Sequence, residues 1–181
     1  MPIYISMLRG VNLGPHNRMK MEPLRKSLEV LGFEQVQTYI QSGNVIFRAA
    51  KQSPRAVSKR IEETVLADFG FAVPVITQTC EQMKETIQNN PFSKKRGIDV
   101  SKMHVTFLSQ VPVEAALKKL AVADGADEFC HSGEAIYLHC RNGYSETKLS
   151  NGFFEKTLAV RATTRNWKTV NQLYKMALEC A

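Results

Sequence analysis

Hydrophobic and polar positions alternate between two periods along the chain, and the alternation sets out most of the elements. Ile3 to Leu8 is a short apolar run with the length of a buried strand. Leu24, Leu28 and Leu31 then fall at helical spacing, with Pro23 as first helical residue and Gly32 where a C-terminal cap belongs. Val36 to Ile40 and Val45 to Arg48 read as two strands of a hairpin around Ser42-Gly43-Asn44, with Gly43-Asn44 in the tight turn. Ser53-Pro54 opens a second helix with Val57, Ile61, Val65 and Phe69 on one face and Gly70 at its end. Val73 to Thr77 is a strand, and Pro74 assigns it to a sheet edge because proline cannot donate to a ladder.

That order is β-α-β-β-α-β, the ferredoxin-like arrangement. Thr79 and Gln82 form a capping box for a short helix stopped at Asn90-Pro91, followed by the basic loop Lys94-Lys95-Arg96. A second pass begins at Met103, whose strand through Phe107 alternates. Pro112 leads a helix with Ala116, Leu117 and Leu120 inward. Asp124-Gly125 turns the chain into a hairpin, Ala126–Cys130 against Ala135–Cys140, around Ser132-Gly133-Glu134. Ser150 or Asn151 caps a helix through Phe154 and Leu158. Ala162 to Thr164 is a short last strand. The final helix places Trp167, Val170, Leu173, Tyr174, Ala177 and Leu178 on one face, with Thr164 as its cap and Trp167 in the core. The expected class is α+β: two ferredoxin-like subdomains with antiparallel sheets and helices packed on one face. Their expected bounds are residues 1–78 and 101–181, with residues 79–100 as the connection.

Composition refines this picture only slightly. With 181 residues, 44% hydrophobic and 23% charged, the chain has the composition of a globule and enough length for a substantial core. Met1 to Ile5 lacks the basic and apolar regions of a signal peptide, and no apolar run is long enough to span a bilayer. The expectation is a cytoplasmic protein without a membrane partner. Cys80, Cys130, Cys140 and Cys180 contain no C-x-x-C pair and read as reduced thiols. The net charge of +7 permits an anionic partner: nucleic acid, nucleotide or phosphorylated metabolite.

Three stretches together resemble the bacterial family called domain of unknown function 1697. They are Leu8-Arg9-Gly10-Val11-Asn12-Leu13-Gly14 with Lys20-Met21, Thr38 to Phe47, and Leu158 to Val170. The resemblance implies a two-subdomain α+β fold of the ferredoxin-like kind. It implies no assigned activity, substrate or catalytic residue.

The candidate chemistry is that of anion binding. Glycines in the loop Arg9 to Gly14 allow backbone N–H groups to approach a phosphate, with Arg9 as a bidentate contact; the alternative is a purely structural turn. The loop lacks the spacing of a Walker motif. Thr163-Thr164-Arg165-Asn166-Trp167 stands at a helix start, a second place for an anion. Ser42 and Asn44 offer a hydroxyl and an amide, though a turn needs the same residue types. The expected ligand-binding set is Arg9, Asn12, Ser42, Asn44, Arg165 and Asn166, with Arg9, Asn12, Asn44 and Arg165 sharing one pocket for a small anionic or nucleotide-like ligand. Nucleic acid bound through a basic surface is the alternative, and an enzyme of unassigned reaction a third. Neither oligomeric state nor catalytic residues follow from the sequence.

Two further readings are excluded on spacing. Pairing the second hairpin around Gly133-Glu134 sets Cys130 opposite Tyr137 and His139 opposite Glu128, with His131 and Cys140 on the other face. Four zinc ligands therefore do not converge, and no metal or cofactor is expected. The acidic turn Asp124, Asp127 and Glu128 needs no catalytic role, and His16 and His104 have no partner in the pattern. An RNA-recognition platform needs two aromatics on the third strand, where Ser42 and Asn44 stand instead.

Overall fold

The computed structural model describes residues 1–120 and 127–180, so the expected turn at Asp124-Gly125, Asp124 itself and the strand start at Ala126 lie outside the described residues. The chain divides into two compact units, Met1–Lys84 with Gln172–Ala181, and Glu85–Asn171. It is an α+β protein with two four-stranded antiparallel sheets.

In the first unit β1 (Ile3–Leu8), α1 (Met21–Val30), β2 (Glu34–Tyr39), β3 (Asn44–Arg48), α2 (Pro54–Phe69) and β4 (Val75–Thr79) follow in order. The sheet order β2-β3-β1-β4 is that of a ferredoxin-like fold, and it leaves β4 at an edge as Pro74 implied. Tyr4, Leu8, Val45, Phe47 and Val75 pack with Leu24 and Leu28 of α1 and with Val57, Ile61 and Val65 of α2. Ser53 caps α2 by accepting the Ala56 N–H, Pro54 is its first residue, and Gly70 ends it at φ 77°. β4 runs directly into α3 (Cys80–Gln88). Thr79 Oγ1 accepts the Gln82 N–H at 3.2 Å and Gln82 Oε1 accepts the Thr79 N–H at 2.9 Å, a complete capping box.

The second unit repeats the order: β5 (Met103–Leu108), α4 (Glu114–Leu120), β6 (Glu128–Ser132), β7 (Ala135–His139), α5 (Asn151–Leu158) and β8 (Ala162–Asn166), leading into α6 (Trp167–Glu179). Its sheet order β6-β7-β5-β8 matches the first. Leu108, Ile136, Leu138, Phe154, Leu158 and Ala162 centre its core. Ser150, not Asn151, caps α5 through the Phe153 N–H.

Several local expectations shift. α1 begins at Met21, ahead of Pro23, and Lys20 in the cap position makes no side-chain bond. Proline is tolerated there because first-turn N–H groups have no helical partner. β2 starts two residues earlier, and its register breaks between Glu34 and Gln37, where Gln35 takes φ 52°. All six residues of β5 are buried, so its covering on both faces replaces the expected alternation. β8 continues through Asn166, and Asn166 Oδ1 accepts the Thr169 N–H at 2.8 Å; Asn166, not Thr164, therefore caps α6. On α6, Val170, Leu173 and Ala177 are buried, whereas Trp167 is only partly buried and Leu178 is exposed.

Candidate functional site

In the first unit the connection from β1 to α1 (residues 9–20) meets the connection from β2 to β3 (residues 40–43). Asn44 is the first residue of β3, paired with Met7 and Tyr39, and not part of the turn. Gly43 takes φ 75°, and a Cβ there would lie 2.6 Å from Val11 Cγ2 and 2.8 Å from Leu8 Cβ. The turn therefore seats directly on the strand and loop beside it, and the Leu8 N–H donates to Gly43 O at 2.8 Å. Only glycine suits both the dihedral and the space.

Asn12 ties the two connections together. Its Oδ1 accepts the Met19 N–H at 2.8 Å, and its Nδ2 donates to Met19 O at 2.8 Å and to Gln41 O at 2.7 Å. Its own N–H donates to Asn17 O at 3.0 Å, and Asn17 Nδ2 reaches Gly10 O at 3.4 Å. Asn12 and Asn17 sit at φ 56° and 51°, in the left-handed region that asparagine tolerates. Asn44 is fully buried and donates to Tyr39 O at 3.2 Å and Ser42 Oγ at 2.9 Å. These amides shape the loops. Arg9 is partly exposed, with its N–H bonded to Pro74 O at 2.9 Å, and His16, Arg18 and Lys20 are exposed on the same loop. No Asp or Glu occurs before Glu22, and none between Glu34 and Glu62. Arg18 was not among the expected site residues, and this carboxylate-free run was the signal that could have found it.

Arg165 and Asn166 belong to the second unit, whereas Arg9, Asn12, Ser42 and Asn44 belong to the first. Arg165 donates from one guanidinium nitrogen to Thr163 Oγ1 at 3.0 Å and Thr164 O at 2.9 Å. Burial lowers its pKa to about 10, against an opposing contribution from Tyr144. His104, buried and stacked on Tyr144 at 4.9 Å between ring centroids, has its pKa lowered by desolvation.

The second hairpin has the expected register, with Glu128 opposite His139 and Cys130 opposite Tyr137. His139 Nδ1 lies 2.9 Å from Glu128 Oε2, Lys95 Nζ 3.4 Å from Oε1, and Arg141 3.5 Å from Oε2. The hydrogen bond with His139, then those with Lys95 and Arg141, hold the Glu128 carboxyl below the usual range. Asp127 accepts the Arg141 N–H at 2.9 Å and the Thr147 hydroxyl at 2.6 Å. An open cleft of about 400 Å³ runs between Pro91, Phe92 and Lys95 on one side and residues 127–130 on the other. Both oxygens of the Glu128 carboxylate are thus occupied by protein partners, which makes this cluster a brace. Among the described residues, no group of three or more His, Cys, Asp or Glu is placed to hold a metal ion. Among the same residues, no helix is long and apolar enough to cross a membrane.

The fold and loops thus define a doubled ferredoxin-like α+β protein with a cationic loop cluster on its first unit. The chain belongs to the family described as Protein of unknown function (DUF1697), whose model matches residues 1–137. Two of the three stretches that carry the resemblance fall inside that match, and Leu158 to Val170 lies beyond it. The solved structure of the conserved bacterial protein SP0830 from Streptococcus pneumoniae is similar in fold, with a TM-score of 0.77 at 22% identity. The similarity covers 97% of this chain and 98% of that one. No curated protein matches the chain.

Proposed function

We propose that the protein binds a small anionic ligand at the loop cluster of its first unit. Arg9 and Arg18 are the contacts, Lys20 contributes charge, and Asn12, Ser42 and Asn44 are the scaffold. The observation that carries this reading is the contrast between equivalent connections. The second unit closes the same sheet with residues 109–113 between β5 and α4, whereas the first uses residues 9–20. The additional length is not needed for the frame. The longer connection carries Arg9, His16, Arg18 and Lys20 and no Asp or Glu in its own sequence, and it is held in shape by the Asn12 bonds. The proposal uses first-unit residues alone; Arg165 and Asn166 act as a strand brace and a helix cap.

The test is a thermal-shift screen of inorganic phosphate, nucleotides, phosphosugars and short RNA at two salt concentrations, with wild type beside Arg9→Ala and Arg18→Ala. Each lost arginine contact should weaken binding roughly tenfold or more, since charge-assisted hydrogen bonds contribute about 1.5–3 kcal/mol. A small-anion shift indifferent to both substitutions overturns the proposal. A response to RNA alone, fading steeply with salt, favours the nucleic-acid reading, because displacing counterions makes such binding salt-dependent. That binding would use backbone contacts and not base stacking: Tyr4 and Phe47, the aromatics of β1 and β3, are buried in the helix-facing core.

A further inference from the structure

The same loops also carry two exposed aliphatic side chains. Leu13 is 71% exposed and Ile40 is 52% exposed. Their chain neighbours, Asn12 and Gln41, are joined by the 2.7 Å bond from Asn12 Nδ2 to Gln41 O, so both aliphatics flank one junction. Ile40 also takes φ 51°, where a β-branched side chain crowds its own backbone. Its exposure leaves little core packing to offset that strain, and a residue such as asparagine or glycine would relieve it. A strained, exposed aliphatic on loops that also carry Arg9 and Arg18 suits a ligand that is apolar next to its charge.

We infer that the ligand is an organic phosphate, its phosphate held by Arg9 and Arg18 and its apolar portion lying on Leu13 and Ile40. This inference rests on the anion-binding reading above and names the class of ligand. A nucleoside monophosphate and a phospholipid share this chemistry, and the experiment separates them.

Binding of inorganic phosphate, phenyl phosphate and a nucleoside monophosphate is measured calorimetrically, and co-sedimentation is measured with phosphatidylglycerol and phosphatidylcholine vesicles. Wild type is compared with Leu13→Ser, Ile40→Gly and Arg9→Ala. Phenyl phosphate should bind about tenfold tighter than inorganic phosphate, the gain expected from covering part of two aliphatic side chains. Leu13→Ser and Ile40→Gly should bring the two affinities within about twofold while leaving inorganic phosphate unchanged, and Ile40→Gly should raise the melting temperature. Preference for the nucleoside monophosphate over vesicles assigns a soluble ligand, and sedimentation with phosphatidylglycerol alone assigns a lipid. Equal affinity for organic and inorganic phosphate, or a preference that survives both substitutions, overturns the inference while leaving anion binding intact. Absence of any phosphate binding, or binding indifferent to Arg9→Ala, overturns the anion site and this inference with it.

Discussion

The two units build one hydrogen-bonded frame from different residues. In the first, Leu8 N–H donates to Gly43 O and Arg9 N–H to Pro74 O; in the second, Leu108 N–H donates to Glu134 O and Ser109 N–H to Arg161 O. Under the helices the parallel continues. Ser6 Oγ lies 2.8 Å from Thr77 Oγ1, which also accepts from Ser58 of α2 at 2.9 Å. Thr106 Oγ1 lies 2.7 Å from Thr164 Oγ1, which donates to Asn151 of α5 at 2.7 Å. Each link joins first strand, fourth strand and second helix. Thr79 and Asn166 then cap the following helices by the same three-residue reach. What differs is the loop cluster. The second unit shows what the frame requires, so the surplus in the first unit marks where selection for something other than folding can act.

The sharpest way to break the comparison is at the turns. Gly43→Ala meets Val11 and Leu8 at under 3 Å with φ at 75°, whereas a Cβ at Gly133, at φ 59°, meets nothing within 4 Å. The first substitution should cost about 3 kcal/mol or more, combining overpacking with strain, and the second about 1 kcal/mol from strain alone. Urea denaturation of both variants checks this, and equal losses would mean that the Gly43 turn is not seated as described. Next come the hydroxyl links. Thr77→Val and Thr164→Val each leave two polar partners short of a bond and should each cost about 1–3 kcal/mol. Similar losses in the two units are expected if the links are equivalent. Asn12→Ala should cost less, about 1–2 kcal/mol, because its bonds lie in a partly exposed loop that water can resolvate. Its larger consequence should be loss of the phosphate-dependent thermal shift.

What was legible in the sequence was local. Ser53-Pro54, Gly70 and the Thr79–Gln82 box are signals spanning a few residues, and the Glu128–His139 register follows from a period of two around one turn. What escaped depends on distant partners. The role of Asn12 requires Gln41, and the buried hydroxyls require Thr77 for Ser6 and Thr164 for Thr106. Asn44 reads as a turn residue in isolation because Gly-Asn suits a tight hairpin. Packing of Val11 and Leu8 on Gly43 instead sets the turn one residue earlier. Trp167 reads as core on helical spacing, yet it begins α6, where no preceding turn of that helix covers it. The doubling was visible as an order of elements without matching residues, since the same bonds are made by serine and threonine here and threonine and asparagine there.

The smallest effect concerns acid, and it falls on two groups of the second unit that share one sign and set in at different pH. Glu128 and His104, both in the second unit, have lowered pKa values in the folded chain. For Glu128 the unfolded carboxyl, near 4.5, binds a proton more readily than the folded one, so its contribution is present above that value and lost as pH falls through the folded value. For His104 the unfolded imidazole, near 6.5, also binds a proton more readily, because burial disfavours the charged ring. Its neutral form therefore begins to cost stability as pH falls below 6.5, and the loss grows until the folded value is reached. Both slopes have stability rising with pH, the first setting in below 6.5 and the second below 4.5. Denaturant midpoints at pH 7, 5.5 and 4 should show the first decline flattened by His104→Gln and the second by Glu128→Gln. If Glu128→Gln left the lower decline unchanged, the brace formed by His139, Lys95 and Arg141 would contribute nothing to folding, as many exposed ion pairs do.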